Sequence, residues 1–334
     1  MNTLNNQKIL VTGGTGSFGK KFVSYILKNF KPKKLIIFSR DELKQYEMQN
    51  QLKKFKRVLR FFIGDVRDLD RLHLAMRDVD LVVHAAALKH VESGEYNPFE
   101  VVKTNILGTQ NVIDAIVNSN VKKGVFLSTD KAVSPINLYG ATKLAAEKIF
   151  IAANNYSLKK YSVVKYGNVF NSRGSVLPFF KKQIRNNEAI SITDKKMTRF
   201  NISLETGVRF VISSILSMNG GETFIPKMDT IKILDLIKVL KPPKGFREIG
   251  IKPGEKIHEE LISVSDNSIK IETKGYFIIL PSTVNKNDKI VNLVKNKHKG
   301  KIINNNFSYN SNDAGKRLSL TSINKLIKEN QKIE

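Results

Sequence analysis

The stretch Lys8-Ile-Leu-Val-Thr12-Gly13-Gly14-Thr15-Gly16-Ser17-Phe18-Gly19 places a short apolar run directly before a glycine-rich turn. Gly13 permits a tight turn, Gly16 lets the backbone approach a pyrophosphate, and Gly19 allows a following helix to pack closely. The N-terminus of that helix stabilises negative charge. A purely structural glycine turn is the alternative, but the order of strand, loop and helix predicts a dinucleotide-binding loop.

Downstream of this loop, continuous Val/Ile/Leu/Phe runs alternate with amphipathic stretches, which is typical of strand–helix units around a parallel sheet covered on both faces. We predict an α/β fold: a Rossmann-like, doubly wound parallel sheet with helices on both faces and a smaller C-terminal substrate-binding region. The predicted strands are residues 8–12, 34–39, 58–63, 81–84, 124–128 and 162–166. The predicted helices are residues 17–28, 42–55, 69–76, 99–118 and 138–153, with Asp41 and Asn97 as N-caps.

After Tyr166 the alternation fades. The later predicted helices are residues 179–187, 204–218 and 320–329, and the predicted loops are residues 168–178 and 241–255. Residues 281–310 are polar and rich in Asn and Lys, and their composition leaves open whether they are ordered. We predict that residues 1–167 form an NADP-binding domain with the catalytic residues. Residues 168–334 are predicted to bind mainly the substrate, interleaved in space with the first domain.

Composition narrows the possible function. The absence of cysteine excludes disulfides, thiolate metal sites and cysteine nucleophiles, and fits a reducing cytoplasm. The five histidines lack ligand-like spacing, so no metal is predicted. No apolar run approaches the roughly 18 residues of a membrane span, and the strand-like start leaves no room for a signal peptide. The net charge of +26 raises nucleic-acid binding as an alternative. Because the basic residues are scattered without interleaved aromatics, we favour a lysine-rich surface that binds neither nucleic acid nor membrane.

The end of the second predicted strand indicates which dinucleotide binds. An acidic residue there usually grips the adenosine ribose, but this chain has Ser39-Arg40. Arginine cannot accept a hydrogen bond from a ribose hydroxyl, whereas it pairs well with a 2′-phosphate. NADP is therefore favoured over NAD. Asp41 is the alternative ribose ligand, although we interpret it as a helix cap.

Residues 128–143 read Ser-Thr-Asp-Lys-Ala-Val-Ser-Pro-Ile-Asn-Leu-Tyr-Gly-Ala-Thr-Lys. Tyr139 and Lys143 lie four apart, so a helix places them on one face. A nearby ammonium would lower the tyrosine pKa from near 10, and Tyr139 would take a proton from a substrate hydroxyl as hydride leaves. Thr129 would hydrogen-bond the developing carbonyl. Asp130 and Lys131 suggest further acid–base chemistry.

Each pair also has a non-catalytic interpretation. Tyr139 and Lys143 could lie on an ordinary surface helix, and Asp130 and Lys131 could form a surface salt bridge. The predicted cofactor contacts are Gly13, Thr15, Gly16, Ser17, Phe18, Gly19, Ser39, Arg40, Lys44, Asp65, Val66, Ala85, Ala86, Ala87, Tyr139, Lys143 and Val169.

In these features the chain resembles the extended short-chain dehydrogenase/reductase superfamily and, within it, the inverting UDP-N-acetylglucosamine 4,6-dehydratases. The resemblance runs from about residue 6 to 262 and, more weakly, through residues 307–326. The further motifs that carry it are Ser39-Arg40-Asp41-Glu42, Ala86-Ala87-Leu88-Lys89, Lys103-Thr104-Asn105, Tyr166-Gly167-Asn168-Val169, Ser172-Arg173-Gly174-Ser175-Val176, Met197-Thr198-Arg199-Phe200 and Pro253-Gly254-Glu255-Lys256.

The resemblance implies a reaction and a substrate. Tyr139 and NADP would oxidise carbon 4 of the sugar, and Lys131, kept neutral by burial or neighbouring cations, would take the carbon 5 proton. Protonated Asp130 would donate to the hydroxyl leaving carbon 6, and hydride would return to carbon 6 with inversion at carbon 5. It also implies a homodimer or larger homo-oligomer. The substrate contacts that it implies are Lys89, Asn168, Arg173, Ser175, Val176, Leu177, Gln183, Arg199, Lys252 and Glu255.

Three alternatives stay open at this point. A retaining 4,6-dehydratase would share the residues, and a UDP-sugar 4-epimerase is disfavoured by Asp130-Lys131, because epimerases usually have small residues there. A non-catalytic NADP-binding protein would usually have lost Tyr139 or Lys143.

Overall fold

The computed structural model describes residues 3–171 and 175–331 of the chain. The strands in these ranges are β1 (Lys8–Thr12), β2 (Lys34–Ser39), β3 (Leu59–Ile63), β4 (Leu81–His84), β5 (Lys123–Thr129), β6 (Lys160–Tyr166), β7 (Asn168–Val169), β8 (Ile190–Ile192), β9 (Thr198–Ile202), β10 (Thr223–Pro226), β11 (Asp229–Lys232), β12 (Phe246–Glu248), β13 (Glu260–Ile262), β14 (Lys270–Glu272), β15 (Tyr276–Ile279), β16 (Lys301–Ile302) and β17 (Tyr309–Asn310). The α-helices are α1 (Ser17–Asn29), α2 (Glu42–Gln51), α3 (Leu69–Met76), α4 (Val91–Tyr96), α5 (Pro98–Val102), α6 (Gly108–Val117), α7 (Leu138–Ala152), α8 (Val176–Arg185), α9 (Leu204–Ser217), α10 (Ile233–Leu240), α11 (Lys289–Lys297) and α12 (Leu320–Gln331).

A single large sheet organises the described part of the chain, with the strand order β16-β14-β15-β10-β6-β5-β4-β1-β2-β3. In this order, the seven strands β10, β6, β5, β4, β1, β2 and β3 run parallel to one another. Strands β15, β14 and β16 extend the sheet with antiparallel pairing. The strand order reverses direction between β1 and β4, and ligands of such sheets bind at this switch point. The predicted doubly wound α/β fold is confirmed.

Both faces of the sheet are covered, as the continuous apolar strands predict. In β1, Ile9 and Val11 belong to one buried cluster with Phe22 of α1, whereas Leu10 belongs to another with Val112 of α6. Successive strand residues point to opposite faces, so a strand with a core on each side is apolar throughout. None of the helices within the described ranges combines the length and apolar character needed to cross a bilayer.

The helix predicted over residues 99–118 is interrupted. It consists of α5, a π-helical turn at Lys103–Leu107 and α6. In that turn Asn105 binds the backbone of Leu88 through both ends of its amide, at 2.8 and 2.9 Å, and donates to Thr142 of α7 at 3.1 Å. The π turn therefore fastens the loop after β4 to α7, and such turns are frequent at functional sites.

The other differences between the predicted and the observed elements are local. The helix predicted over residues 42–55 ends at Gln51, before a separate 3₁₀ turn. Asn97 precedes α5, but its amide donates to the Ser93 carbonyl and caps nothing. Residues 281–310 are not featureless, since they contain α11 with Val291 and Val294 fully buried. The predicted loop over residues 241–255 contains only the short strand β12.

Candidate active site

A cavity of about 1560 Å³ opens at the carboxyl ends of the parallel strands. Each side chain or glycine predicted to contact the cofactor lines it, and so do Thr129, Asp130 and Lys131. Pockets for one small ligand measure roughly 300–1,000 Å³. This cavity therefore has room for a dinucleotide and a second ligand beside it.

The glycine loop forms one end of this cavity. Gly13 has φ +64, and a Cβ there would lie 2.9 Å from the Ala86 nitrogen, so this position excludes a side chain. A Cβ on Gly19 would lie 2.5 Å from Gly14, so the first turn of α1 packs directly on the loop backbone. Helix α1 has Gly16 as its N-cap and no capping side chain. Its first-turn amides are thus available to an anion, and the bare backbone fits a pyrophosphate.

The end of β2 carries Arg40 and Asp41, which differ in their contacts. Asp41 caps α2 by accepting a hydrogen bond from the Lys44 amide at 2.9 Å, and its carboxylate also pairs with the Lys44 ammonium. The predicted cap is confirmed, and Asp41 is occupied by it. Arg40 is half exposed and lies 3.8 Å from Asp65.

Helix α7 carries the tyrosine and the lysine into the cavity. Asn137 starts the helix by accepting a hydrogen bond from the Gly140 amide at 2.8 Å. Lys143 donates to the Leu127 carbonyl at 2.6 Å and lies 3.8 Å from the ring centroid of Phe126. Burial lowers the pKa of Lys143 to about 7.

The prediction that a nearby ammonium lowers the pKa of Tyr139 from near 10 is wrong in its net direction, although Lys131 does act in that sense. Burial raises the pKa of the Tyr139 phenol to about 12, and this effect outweighs the opposing influences of Lys131 and Thr129. Lys143 is not the cation that acts on the phenol, because its amine is turned to the Leu127 carbonyl.

Asp130 and Lys131 form a tight turn at the end of β5. The Asp130 carboxyl is fully buried, and its Oδ1 accepts hydrogen bonds from Thr129 at 2.8 Å and from the Lys131 amine at 3.0 Å. Burial raises the pKa of Asp130. The pair is therefore not a solvated surface salt bridge.

Lys131 is not kept neutral by its surroundings. Burial by itself would lower the pKa of this amine, but Asp130 and Glu259 outweigh it and raise the pKa. The expectation of an amine made neutral by burial or by neighbouring cations is thus wrong for the resting site. A neutral Lys131 requires that its proton move to a neighbour.

Glu259 was not predicted from the sequence. It precedes β13, is buried, and places its Oε1 3.2 Å from the Lys131 amine and 3.5 Å from Arg199 Nε. A lone glutamate before an apolar strand gives no signal of a site. Only the fold brings it to the acid–amine pair.

The predicted substrate contacts divide into two groups. Those that line the cavity are Lys89, Asn168, Ser175, Val176, Arg199, Lys252 and Glu255. Leu177 and Gln183 do not line it, because Leu177 is packed in a buried apolar cluster and the Gln183 amide binds Ser191. Arg173 lies outside the described residues.

Two of the predicted substrate contacts, Arg199 and Lys252, have partners within the protein. The Arg199 guanidinium donates to the carbonyls of Thr198 and Ile257, at 2.8 and 3.0 Å, besides approaching Glu259. Lys252 pairs with Glu92 of α4 at 3.1 Å. An anionic ligand at these two side chains would compete with their protein partners.

Comparison with known proteins places this site in a family. The model of the family described as polysaccharide biosynthesis protein matches residues 9–281. The chain belongs to this family. An inverting UDP-N-acetylglucosamine 4,6-dehydratase from Campylobacter jejuni is 52% identical, over 92% of this chain and 93% of the relative. The predicted resemblance is confirmed.

The chain is also similar to proteins that are not named as dehydratases. A UDP-glucose 4-epimerase from Rickettsia bellii is 42% identical, over 83% of each chain. The X-ray structure of Pen from Bacillus thuringiensis has a TM-score of 0.86 at 38% identity, and the alignment covers 98% of this chain and 99% of Pen.

Proposed function

We propose that the protein is an NADP-dependent UDP-N-acetylglucosamine 4,6-dehydratase that inverts carbon 5 and forms a UDP-2-acetamido-2,6-dideoxy-4-hexulose. The observation that carries the proposal is the buried Asp130–Lys131 pair, in contact at 3.0 Å in the same cavity as Tyr139 and Lys143. A redox reaction needs only the tyrosine and the lysine. The acid and the amine add what the removal of water requires.

The chain's own residues would handle the protons. Tyr139 would accept the proton of the carbon 4 hydroxyl while Thr129, beside it, orients that oxygen. Lys131 in its neutral form would then remove the carbon 5 proton, which the new ketone makes acidic. Asp130 would donate a proton to the hydroxyl that leaves carbon 6 as water.

The cofactor would be NADP. When bound, its nicotinamide supplies hydride acceptance from carbon 4 and hydride return to carbon 6. The glycine loop would hold the pyrophosphate, and Lys143 would hold the nicotinamide ribose. Arg40 is half exposed at the end of β2, where a 2′-phosphate would lie. Asp41 is engaged by Lys44, so its carboxylate is less available to a ribose hydroxyl.

The substrate would lie on the opposite side of the cavity, on residues that come mostly after position 167. Lys89 and Asn168 would line the sugar, Arg199 and Lys252 the diphosphate, and Glu255 the uridine ribose. In this arrangement residues 1–167 hold the cofactor and most catalytic groups, and residues 168–334 the nucleotide sugar. Assembly into a homodimer or larger oligomer stays a prediction.

Incubation with UDP-N-acetylglucosamine, followed by mass analysis for loss of one water, tests the proposal. Proton NMR of the product then distinguishes inversion from retention at carbon 5. Lys131→Ala should abolish dehydration and leave NADP binding intact, whereas exposed Lys274→Ala should change neither. Failure to remove water from any common nucleotide sugar would contradict the proposal.

A second candidate is a UDP-sugar 4-epimerase, which the similarity to the rickettsial relative favours. Such an enzyme would need the redox pair and would leave Asp130 and Lys131 without a chemical role. A product of unchanged mass with an inverted carbon 4 would support it.

A further inference from the structure

The Lys131 amine lies between two buried carboxylates. Its Nζ is 3.0 Å from Asp130 Oδ1 and 3.2 Å from Glu259 Oε1. The second oxygens of these carboxylates, Asp130 Oδ2 and Glu259 Oε2, are buried without a hydrogen-bond partner, and both residues line the cavity. Buried polar atoms without partners are rare. Their presence here indicates a site prepared for a polar ligand.

We propose that Glu259 is a positioning residue that holds the Lys131 amine against Asp130 and keeps one proton shared within that pair. The inference rests on the proposed dehydratase function and adds a residue to it. Glu259 reaches the pair from the far end of the chain, where it is held by the Ser311 side chain, which accepts a hydrogen bond from its amide at 2.9 Å.

The charges around Glu259 determine where that proton lies. Lys131 and Arg199 keep Glu259 ionised despite its burial, so it does not take the proton itself. Burial and the negative charge of Glu259 both favour a protonated Asp130. The charged or titratable groups that face Glu259 or its amine partner are Asp130, Lys131, Tyr139, Arg199 and Lys256.

One internal proton transfer converts the resting pair into the reactive pair. Movement of a proton from Lys131 Nζ to Asp130 Oδ1, across their 3.0 Å contact, gives a neutral amine and a neutral acid without exchange with solvent. In the elimination, the amine takes the carbon 5 proton and the C–H electron pair becomes the carbon 5–carbon 6 double bond. The carbon 6–oxygen bond breaks, and the hydroxide leaves as water with the Asp130 proton. The pair is then again an ammonium and a carboxylate.

Removal of the Glu259 charge should weaken the hold on the shared proton. An opposite charge at this distance shifts a pKa by about one to three units. In Glu259→Gln the pair would lose its proton at lower pH, which leaves an ionised Asp130 that cannot donate to the leaving group. As the pH is raised, this variant should therefore lose dehydratase activity at a pH about one to three units lower than the wild type does.

The test measures kcat and KM for water loss from UDP-N-acetylglucosamine against pH in the wild type, Glu259→Gln, Glu259→Asp and the control Glu260→Gln. Glu260 is the next residue, and its carboxylate accepts a hydrogen bond from Ser134, outside the cavity. We expect the alkaline limb of the kcat–pH profile to shift to lower pH in Glu259→Gln. It should lie close to that of the wild type in Glu259→Asp and be unchanged in Glu260→Gln. NADPH affinity should stay unchanged in all variants, because Glu259 lies on the substrate side of the cavity, beside Arg199.

A Glu259→Gln enzyme whose loss of activity is the same at every pH, or appears only in KM, would overturn the inference. Should that variant not fold, Glu259→Asp decides, because it keeps the charge and should keep the profile with a lower kcat. Failure of the proposed function is separable, since the wild type would then remove no water. In that case, nitrogen NMR titration of the Lys131 amine in the wild type and Glu259→Gln tests the inference, and equal titration in both would refute it.

Discussion

Substitution of Gly140 tests whether the acid–amine pair must be held in register with the tyrosine. Gly140 follows Tyr139 in α7, where the helix packs against the turn that carries Asp130 and Lys131. A Cβ at Gly140 would lie 3.0 Å from the Lys131 carbonyl carbon, 3.1 Å from Pro135 Cβ, and closer still to the Lys131 carbonyl oxygen. The clash is with backbone, so it cannot be relieved by rotation of a side chain.

In Gly140→Ala the turn and the helix must therefore separate by roughly 1 Å, and misplacement on this scale can lower a rate about 100-fold. A 100-fold loss of kcat corresponds to about 2.7 kcal/mol in the activation barrier. Whichever element yields, Asp130 and Lys131 move relative to Tyr139. Overpacking of this kind also costs about 1–3 kcal/mol of stability.

The assay is the initial rate of water loss from UDP-N-acetylglucosamine, combined with thermal unfolding and NADPH titration. The matched control is Gly207→Ala in α9, where an added Cβ meets no atom within 4 Å. That control should keep full activity and gain up to about 1 kcal/mol from helix propensity. A folded Gly140→Ala enzyme with wild-type kcat would refute the reasoning, because the pair would then tolerate displacement.

Three further outcomes test other parts of the structure. Burial lowers the pKa of Lys143 to about 7 in the folded protein, from the ordinary value of about 10.5 that the unfolded chain keeps. Raising the pH within this window should thus stabilise the fold by up to about 1.4 kcal/mol per unit. Urea unfolding of Lys143→Met should show no such rise. Arg40→Ala should weaken NADPH binding by about 1.5–3 kcal/mol, the range for a hydrogen bond to a charged group; an equal loss for NADH in fluorescence titrations would contradict 2′-phosphate recognition. Glu147→Gln would leave Lys165 buried without its partner at 2.9 Å, and calorimetry should show a loss of about 3–5 kcal/mol. The control Glu205→Gln removes an exposed ion pair with Lys21 and should cost under about 1 kcal/mol of stability. Similar losses of stability in Glu147→Gln and Glu205→Gln would contradict the argument.

The elements of the first half could be predicted closely because their signals are local. The predicted strand over residues 34–39 has the bounds found for β2, and the predicted helix over residues 69–76 those of α3. The prediction of one α-helix over residues 99–118 is wrong at the π turn. There Asn105 is held by Leu88 and Thr142, which are remote in sequence. Apolar periodicity does not record such a contact.

The second half was predicted less well for a related reason. Strands β10 and β15 are only four residues long and continue a sheet begun by the first half. Helix α11 lies in a segment whose polar composition hides two fully buried valines. Short elements of this kind are stabilised by what they pack on, so their own sequence indicates them weakly.

The sequence by itself determined the fold class, the glycine-rich turn after β1 and the presence of Asp130, Lys131, Tyr139 and Lys143 in one cavity. The last follows because these four residues lie within fourteen positions at the end of one strand and the start of one helix. Only the tertiary structure decided their protonation. It buries Asp130, directs the Lys143 amine to the Leu127 carbonyl, and brings Glu259 to the Lys131 amine from 128 positions further along the chain. The reason is physical: proximity along a chain follows from backbone geometry, whereas a pKa depends on the solvent and charges that the whole fold places around a group.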